Sequence, residues 1–186
     1  MQGPEPTSTI SRRAPPWRVV ALVLLLAGSA AALGEDFRGQ RWGASPAAVK
    51  SEESGTLIHE SATSLTYAGD IAGMDVAIRY EFRSGALVSG AYVSLEKPAS
   101  DSSHIKDYRK VKALLARRYG KPRDRTIWKN DLYKGRPAHW GTALALGHLV
   151  FVSEWETETT SIRHGLFGDD SRVTHLVIFD RKSSTP

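Results

Sequence analysis

Six histidines, at 59, 104, 139, 148, 164 and 175, are the first residues to test for metal or acid–base chemistry. Their spacing does not support a metal site: there is no H-E-x-x-H, and His139 and His148 lie on opposite sides of an expected hairpin turn. His164 and His175 could become cross-strand neighbours around a turn containing Asp169 and Asp170, but no third ligand can be placed beside them. No metal and no cofactor is expected. Glu154, Glu156 and Glu158 alternate with Trp155 and Thr157, which puts three carboxylates on one face of one strand. Glycosidase carboxylates flank a cleft from separate elements, so this row reads as a surface strand guarded against aggregation. There is no G-x-S-x-G elbow and no phosphate loop.

One constellation remains. Lys121, Arg123, Arg125, Lys129, Lys134 and Arg136 are interleaved with Trp128, Tyr133 and, just beyond, Trp140. Arginines bind anions by paired hydrogen bonds and stacking, so residues 121–136 are the candidate binding region. Between Lys106 and Arg136 there are twelve Lys or Arg against three Asp, while the whole chain carries only +5. The rest of the chain is therefore net acidic, and the charge is polarised along the sequence.

The element that must position this region is Ile105–Pro122. Ile105, Tyr108, Val111, Leu115 and Tyr119 recur every three or four residues with Leu114 alongside, which makes one apolar stripe on a helix. Asp101, Ser102 and Ser103 offer cap oxygens, Gly120 suits the left-handed stop, and Pro122 forbids continuation. A shorter helix is expected over about Pro46–Ser54, with Ser45 as cap and Pro46 at its first position. From Ser64 the period falls to two: Met74, Val76, Ile78, Tyr80 and Phe82 share one face, and Leu87, Ala91, Val93 and Leu95 continue the alternation after Ser84-Gly85. Thr56–Ala62 reads as a connection, and Arg123–Pro137 mostly as loop with a short strand at Thr126–Lys129. Strands are expected at Trp140–Leu146, Leu149–Glu158, Thr159–Leu166 and Arg172–Asp180. The expected fold is α+β: two halves, each a helix packed on an antiparallel three-stranded meander.

The chain opens with Arg12, Arg13 and Arg18 ahead of an apolar or small run, Val19–Gly34, that ends in small-x-small sites. That is the pattern of a Sec-type signal peptide covering 1–34, followed by one α+β domain over 35–182 and a frayed tail at 183–186. A retained membrane anchor is the alternative, but sixteen helical residues reach only ~24 Å against ~30 Å of hydrocarbon. The chain has no cysteine, which excludes disulfides, thiolate metal sites, a cysteine nucleophile and a lipid-attached lipoprotein.

Phe37-Arg38-Gly39, then Trp42-Gly43-Ala44-Ser45 and Val49, resembles the F-x-G-x-x-W-G-x-S…V opening of a diffuse group of exported bacterial proteins of unknown function. Leu115 with Tyr119-Gly120-Lys121-Pro122 is similar to the L-x-x-x-Y-G-x-P helix ending of such chains. The architecture resembles the tandem helix-plus-sheet proteins of the β-lactamase-inhibitor type, and more distantly the small lipoprotein of the outer-membrane barrel-assembly machine. These likenesses imply export and fold, and they carry no functional residue to this chain. The expectation is a periplasmic or secreted, non-enzymatic module that binds an envelope protein or anionic surface through its sheet face or residues 121–136. After export, nucleic acid is not the expected partner, and no transmembrane segment is expected in the mature chain. The alternative is an envelope hydrolase that pairs His139 or His164 with Glu154, Glu156 or Asp169.

Overall fold

Ser45 starts the first helix as its residue type predicts. A computed structural model of the chain describes residues 36–96, 100–169 and 172–183. The expected leader at 1–34 and nearly all of the expected tail lie outside these residues. The Ser45 hydroxyl accepts the Ala48 N–H at 3.2 Å, and Pro46 takes the first helical position of α1, Pro46–Glu52, where no N–H is needed. Four strands follow: β1 (Thr56–Glu60), β2 (Ser64–Ile71), β3 (Met74–Arg83) and β4 (Ala86–Ser94). The long helix α2 is Asp101–Tyr119, and it leads to β5 (Arg123–Trp128). A 3-10 turn at Pro137–His139 runs into α3 (Trp140–Ala145), and β6 (Leu149–Glu156), β7 (Thr160–Asp169) and β8 (Arg172–Arg181) close the chain.

All eight strands form one antiparallel sheet in the order β1-β2-β3-β4-β8-β7-β6-β5. The α+β class and the antiparallel sheet agree with the sequence. The two halves of helix plus three strands do not: each half supplies four strands, and β4 pairs with β8 to make the sheet continuous. β1 falls where a connection was expected, and β5 takes in the short strand expected at Thr126–Lys129 but starts three residues earlier, at Arg123; both departures have one reason. β1 and β5 end the sheet and are exposed along almost their whole length, so burial imposes no period-two pattern on their sequences.

Trp140–Leu146 is a second correction, because it is helical and not a strand. Its alternation of large and small residues imitates period two, but Gly141, Ala143, Leu144 and Ala145 are all buried in α3. The small side chains let α3 sit against the start of α2, where a Cβ on Gly141 would lie 2.6 Å from the Ser102 backbone nitrogen. The third correction concerns β4. The register slips between Glu81 and Phe82, so Phe82 faces Leu87 while Glu81 faces Ser89. That bulge reverses the parity: Leu87, Gly90 and Tyr92 share the core side, and Ala91 and Val93 turn to the other face.

The helices cover one face. Ile105, Tyr108, Val111 and Leu115 of α2 are buried, with Leu114 and Tyr119 partly buried, as the stripe requires. Ser100 is the N-cap residue in place of Asp101, Ser102 or Ser103, and Gly120, at φ 81°, ends the helix. Val49 of α1 and Val111 of α2 share one core with Ile78, Tyr80, Trp155, Ile162, Val177 and Phe179. On the opposite face Arg79, Glu81 and Arg163 stay exposed, and Val93, Val150, Val152, Leu176 and Ile178 are only half-buried. The charges there already pair: Arg79 with Glu81 at 3.0 Å and Arg163 with Asp180 at 3.0 Å.

Gly90 is where the core tolerates least. An added Cβ would fall 2.2 Å from the Phe37 ring, which itself packs edge-on to Tyr80 and Tyr92. Gly90→Ala is expected to lower stability by about 2 kcal/mol, the usual cost of overpacking. A urea titration with an unchanged midpoint would show that the Phe37 ring simply moves aside.

Candidate functional site

Gly120 and Pro122 end α2 and turn the chain into β5 along one end of the sheet, and the Trp155 indole N–H pins that turn by donating to the Gly120 carbonyl at 2.8 Å. The register with β6 puts Arg123, Arg125 and Ile127 on the open face and Asp124, Thr126 and Trp128 on the helix side. Arg123 and Arg125 both reach Glu154, at 3.2 and 2.9 Å, but their side chains remain 72% and 54% exposed. Such exposed pairs are worth ~0–1 kcal/mol, so a partner's carboxylates can compete for both arginines. Lys121, Arg123 and Tyr119 line a shallow recess of about 320 Å³ with Glu154, Trp155 and Glu156. Lys129 and Arg136 are exposed, and Lys134 pairs loosely with Asp131 at 3.3 Å.

The six cations of region 121–136 therefore follow one sheet edge and the loop after it. The aromatics do not join them as a stacking platform. Trp128 packs edge-on to Trp140 at 5.7 Å, and Tyr133 lies against His139 at 5.7 Å and His148 at 6.1 Å. These rings pack among themselves and anchor the loop, while the cations stay exposed.

Behind the edge is a feature that sequence reading missed. α2 and β5 enclose a recess of about 240 Å³ whose walls include Ile105, Tyr108, Trp140 and Phe151, with Arg109 and Lys112 among the lining residues. Tyr108 hydroxyl meets Ser153 Oγ at 2.6 Å, Ser153 donates to Asp124, and Lys112 pairs with Asp124 at 3.1 Å. Burial pushes the Tyr108 phenol up to about 12, so it stays protonated as a donor in this chain.

The histidines divide between surface and core. His59 and His139 are exposed, while His164 and His175 are buried side by side with their Nε2 atoms 2.8 Å apart. One ring donates and the other accepts, and neither Nδ1 finds a partner among the described residues. Tyr108 stacks on His164 at 4.1 Å. Burial is the main cause that holds both rings neutral, pushing His164 well below the ordinary imidazole value and His175 down to about 4. The pairs expected for a hydrolase are not assembled: His164 bonds His175, Glu154 takes the two arginines, and Glu156 pairs with Lys182 at 3.3 Å. No group of three His, Asp or Glu among the described residues could hold a metal ion.

A cleft of about 580 Å³ beside strongly perturbed charges lies elsewhere, walled by Phe37, Ile71, Tyr92, Leu115 and Phe179. Arg38 and Gly39 make a tight turn at φ 46° and 81°, which aims the guanidinium at Glu53 with bonds of 2.8 and 2.9 Å. Tyr80 hydroxyl and the Gly55 N–H also donate to Glu53. Burial alone would raise the Glu53 carboxyl, but these donors outweigh it and hold the group down at about 2. The same bond raises Arg38, and burial raises Tyr80. Because the central charges satisfy one another, the arrangement braces the N-terminal turn against the end of α1. Nothing local in sequence links residues fifteen apart in this way.

No family model, curated protein or solved structure matches the chain. Function is therefore read from the site alone.

Proposed function

We propose that this chain is an exported, non-enzymatic binding module of the cell envelope that holds an acidic protein surface along β5 and the loop that follows it. The observation that carries this reading is the run of exposed cations along one sheet edge, Lys121, Arg123, Arg125, Lys129, Lys134 and Arg136. Export rests on Arg12, Arg13 and Arg18 ahead of the apolar run Val19–Gly34. No helix among the described residues is long and apolar enough to cross a membrane. A protein partner is favoured over nucleic acid because the reading places the chain outside the cytoplasm.

The test follows from screening, since attraction between exposed charges fades beyond a Debye length of about 10 Å at 0.1 M salt. Immobilised protein should retain an acidic envelope protein at low ionic strength and release it as salt rises. Arg123→Ala, Arg125→Ala, Lys129→Ala and Arg136→Ala combined should abolish that retention, while Arg79→Ala, on the same face but in β3 toward the other end of the sheet, should not. Retention indifferent to both salt and the four substitutions would end this reading.

A further inference from the structure

The sheet edge at β5 has the geometry of a site for one more strand. Just past the strand, the Lys129 N–H donates to the His148 carbonyl at 2.8 Å. The alternation of an antiparallel ladder then turns the backbone groups of Arg123, Arg125 and Ile127 toward β6, and those of Asp124, Thr126 and Trp128 outward. The opposite edge differs: β1 is broken by a bulge between Leu57 and His59, a device that discourages pairing. β5 keeps six residues in unbroken register.

We propose that β5 takes up an extended acidic segment of the partner as a ninth strand, with an apolar side chain of that segment seated in the recess under α2. This rests on the binding role proposed for the basic rim and adds its mode. The two sides of the edge set the chemistry of the incoming strand. On the open face its side chains would lie beside Arg123 and Arg125, which favour Glu or Asp. On the helix side the next residue would face the 240 Å³ recess, where Ile105, Tyr108, Trp140 and Phe151 offer an apolar wall and Arg109, Lys112 and Asp124 a charged rim, so a side chain with an apolar body fits there. The same arginines repel a basic strand, and they repel the β5 of a second copy.

The probe is a short capped peptide alternating glutamate with leucine, titrated into the full chain. Two companions are used, one N-methylated on the alternate backbone nitrogens that would face β5, the other with lysine in place of glutamate. Thr126→Pro removes one outward N–H and none of the bonds to β6. Both the N-methylated peptide and Thr126→Pro should weaken binding about tenfold or more, because each removes backbone bonds that only a paired strand makes. The lysine peptide should not bind, and amide exchange at Asp124, Thr126 and Trp128 should slow when the glutamate peptide is present. If Thr126→Pro disturbs the fold, the N-methylated peptide on the native chain decides. If Arg123→Ala with Arg125→Ala weakens binding but N-methylation has no effect, strand addition is overturned and the basic-rim reading survives. If the glutamate peptide binds neither strongly nor with any dependence on these arginines, both are overturned. Self-association abolished by Thr126→Pro would instead make a second copy the occupant, and would overturn the proposal.

Discussion

Arg38→Met is expected to destabilise the protein by about 3 kcal/mol or more, the cost of stranding one member of a buried ion pair. Glu53 is only 2% exposed at its side chain and sits under Tyr80, so without the guanidinium its charge is buried with too few donors. The double change Arg38→Met with Glu53→Leu should recover much of the loss, because it removes the buried charge along with its partner. Urea denaturation at neutral pH measures both. A single variant as stable as the native chain would mean that solvent already reaches Glu53. The pH dependence gives a second reading of the same pair. Glu53 is depressed to about 2 from an ordinary value near ~4.3. Its contribution is complete above the higher of these and is lost as pH falls through the lower. In Arg38→Met that acid limb should flatten.

Acid should act earlier through the buried imidazoles. His175 is held down to about 4 and His164 well below the ordinary value of ~6.5, so the unfolded chain binds protons that the folded chain refuses. Stability from this pair is fully present above pH ~6.5 and declines as pH falls toward about 4, where His175 itself titrates in the folded state. At ~1.4 kcal/mol per unit, His175 alone accounts for about 3 kcal/mol across that window. Asp107 tempers the effect by favouring the charged form of His175, while His104 and Lys112 oppose charge on the pair and strengthen it. His164→Gln with His175→Leu should remove most of the slope between pH 6.5 and 4, measured by thermal unfolding across pH. An unchanged slope would assign the acid sensitivity to other groups. His175 titrates above Glu53, so the onset of the acid slope, lost in the imidazole variant and kept in Arg38→Met, separates the two in one pH series.

Sequence alone determined the elements whose signal is local. The spacing of Ile105, Tyr108, Val111 and Leu115 specifies a helix and its buried face, because residues three and four apart must share a side. Ser45-Pro46 specifies a helix start, and the alternation from Met74 to Phe82 specifies a half-buried strand. The His164 and His175 encounter was partly legible, since a hairpin brings neighbours together by construction. The cations of 121–136 were legible as composition.

Tertiary structure decided where those signals lead. β1 and β5 carry no burial pattern because they end the sheet, so β1 and the first half of β5 emerge only from pairing with β2 and β6, although Thr126–Lys129 was legible as a short strand. α3 reads as a strand until its small residues are seen fitting against α2, and one bulge sends Val93 to the opposite face from Leu87. The join of β4 to β8, where Ser89 donates to Asp180 across 91 positions of sequence, has no local signature. Neither has Arg38 meeting Glu53. Helix and strand periods arise from neighbours along the chain, whereas edges, recesses and buried ion pairs arise from segments that meet only after collapse. That is why residues 121–136 could be recognised as basic from their letters but as the rim of an open sheet edge only from the fold.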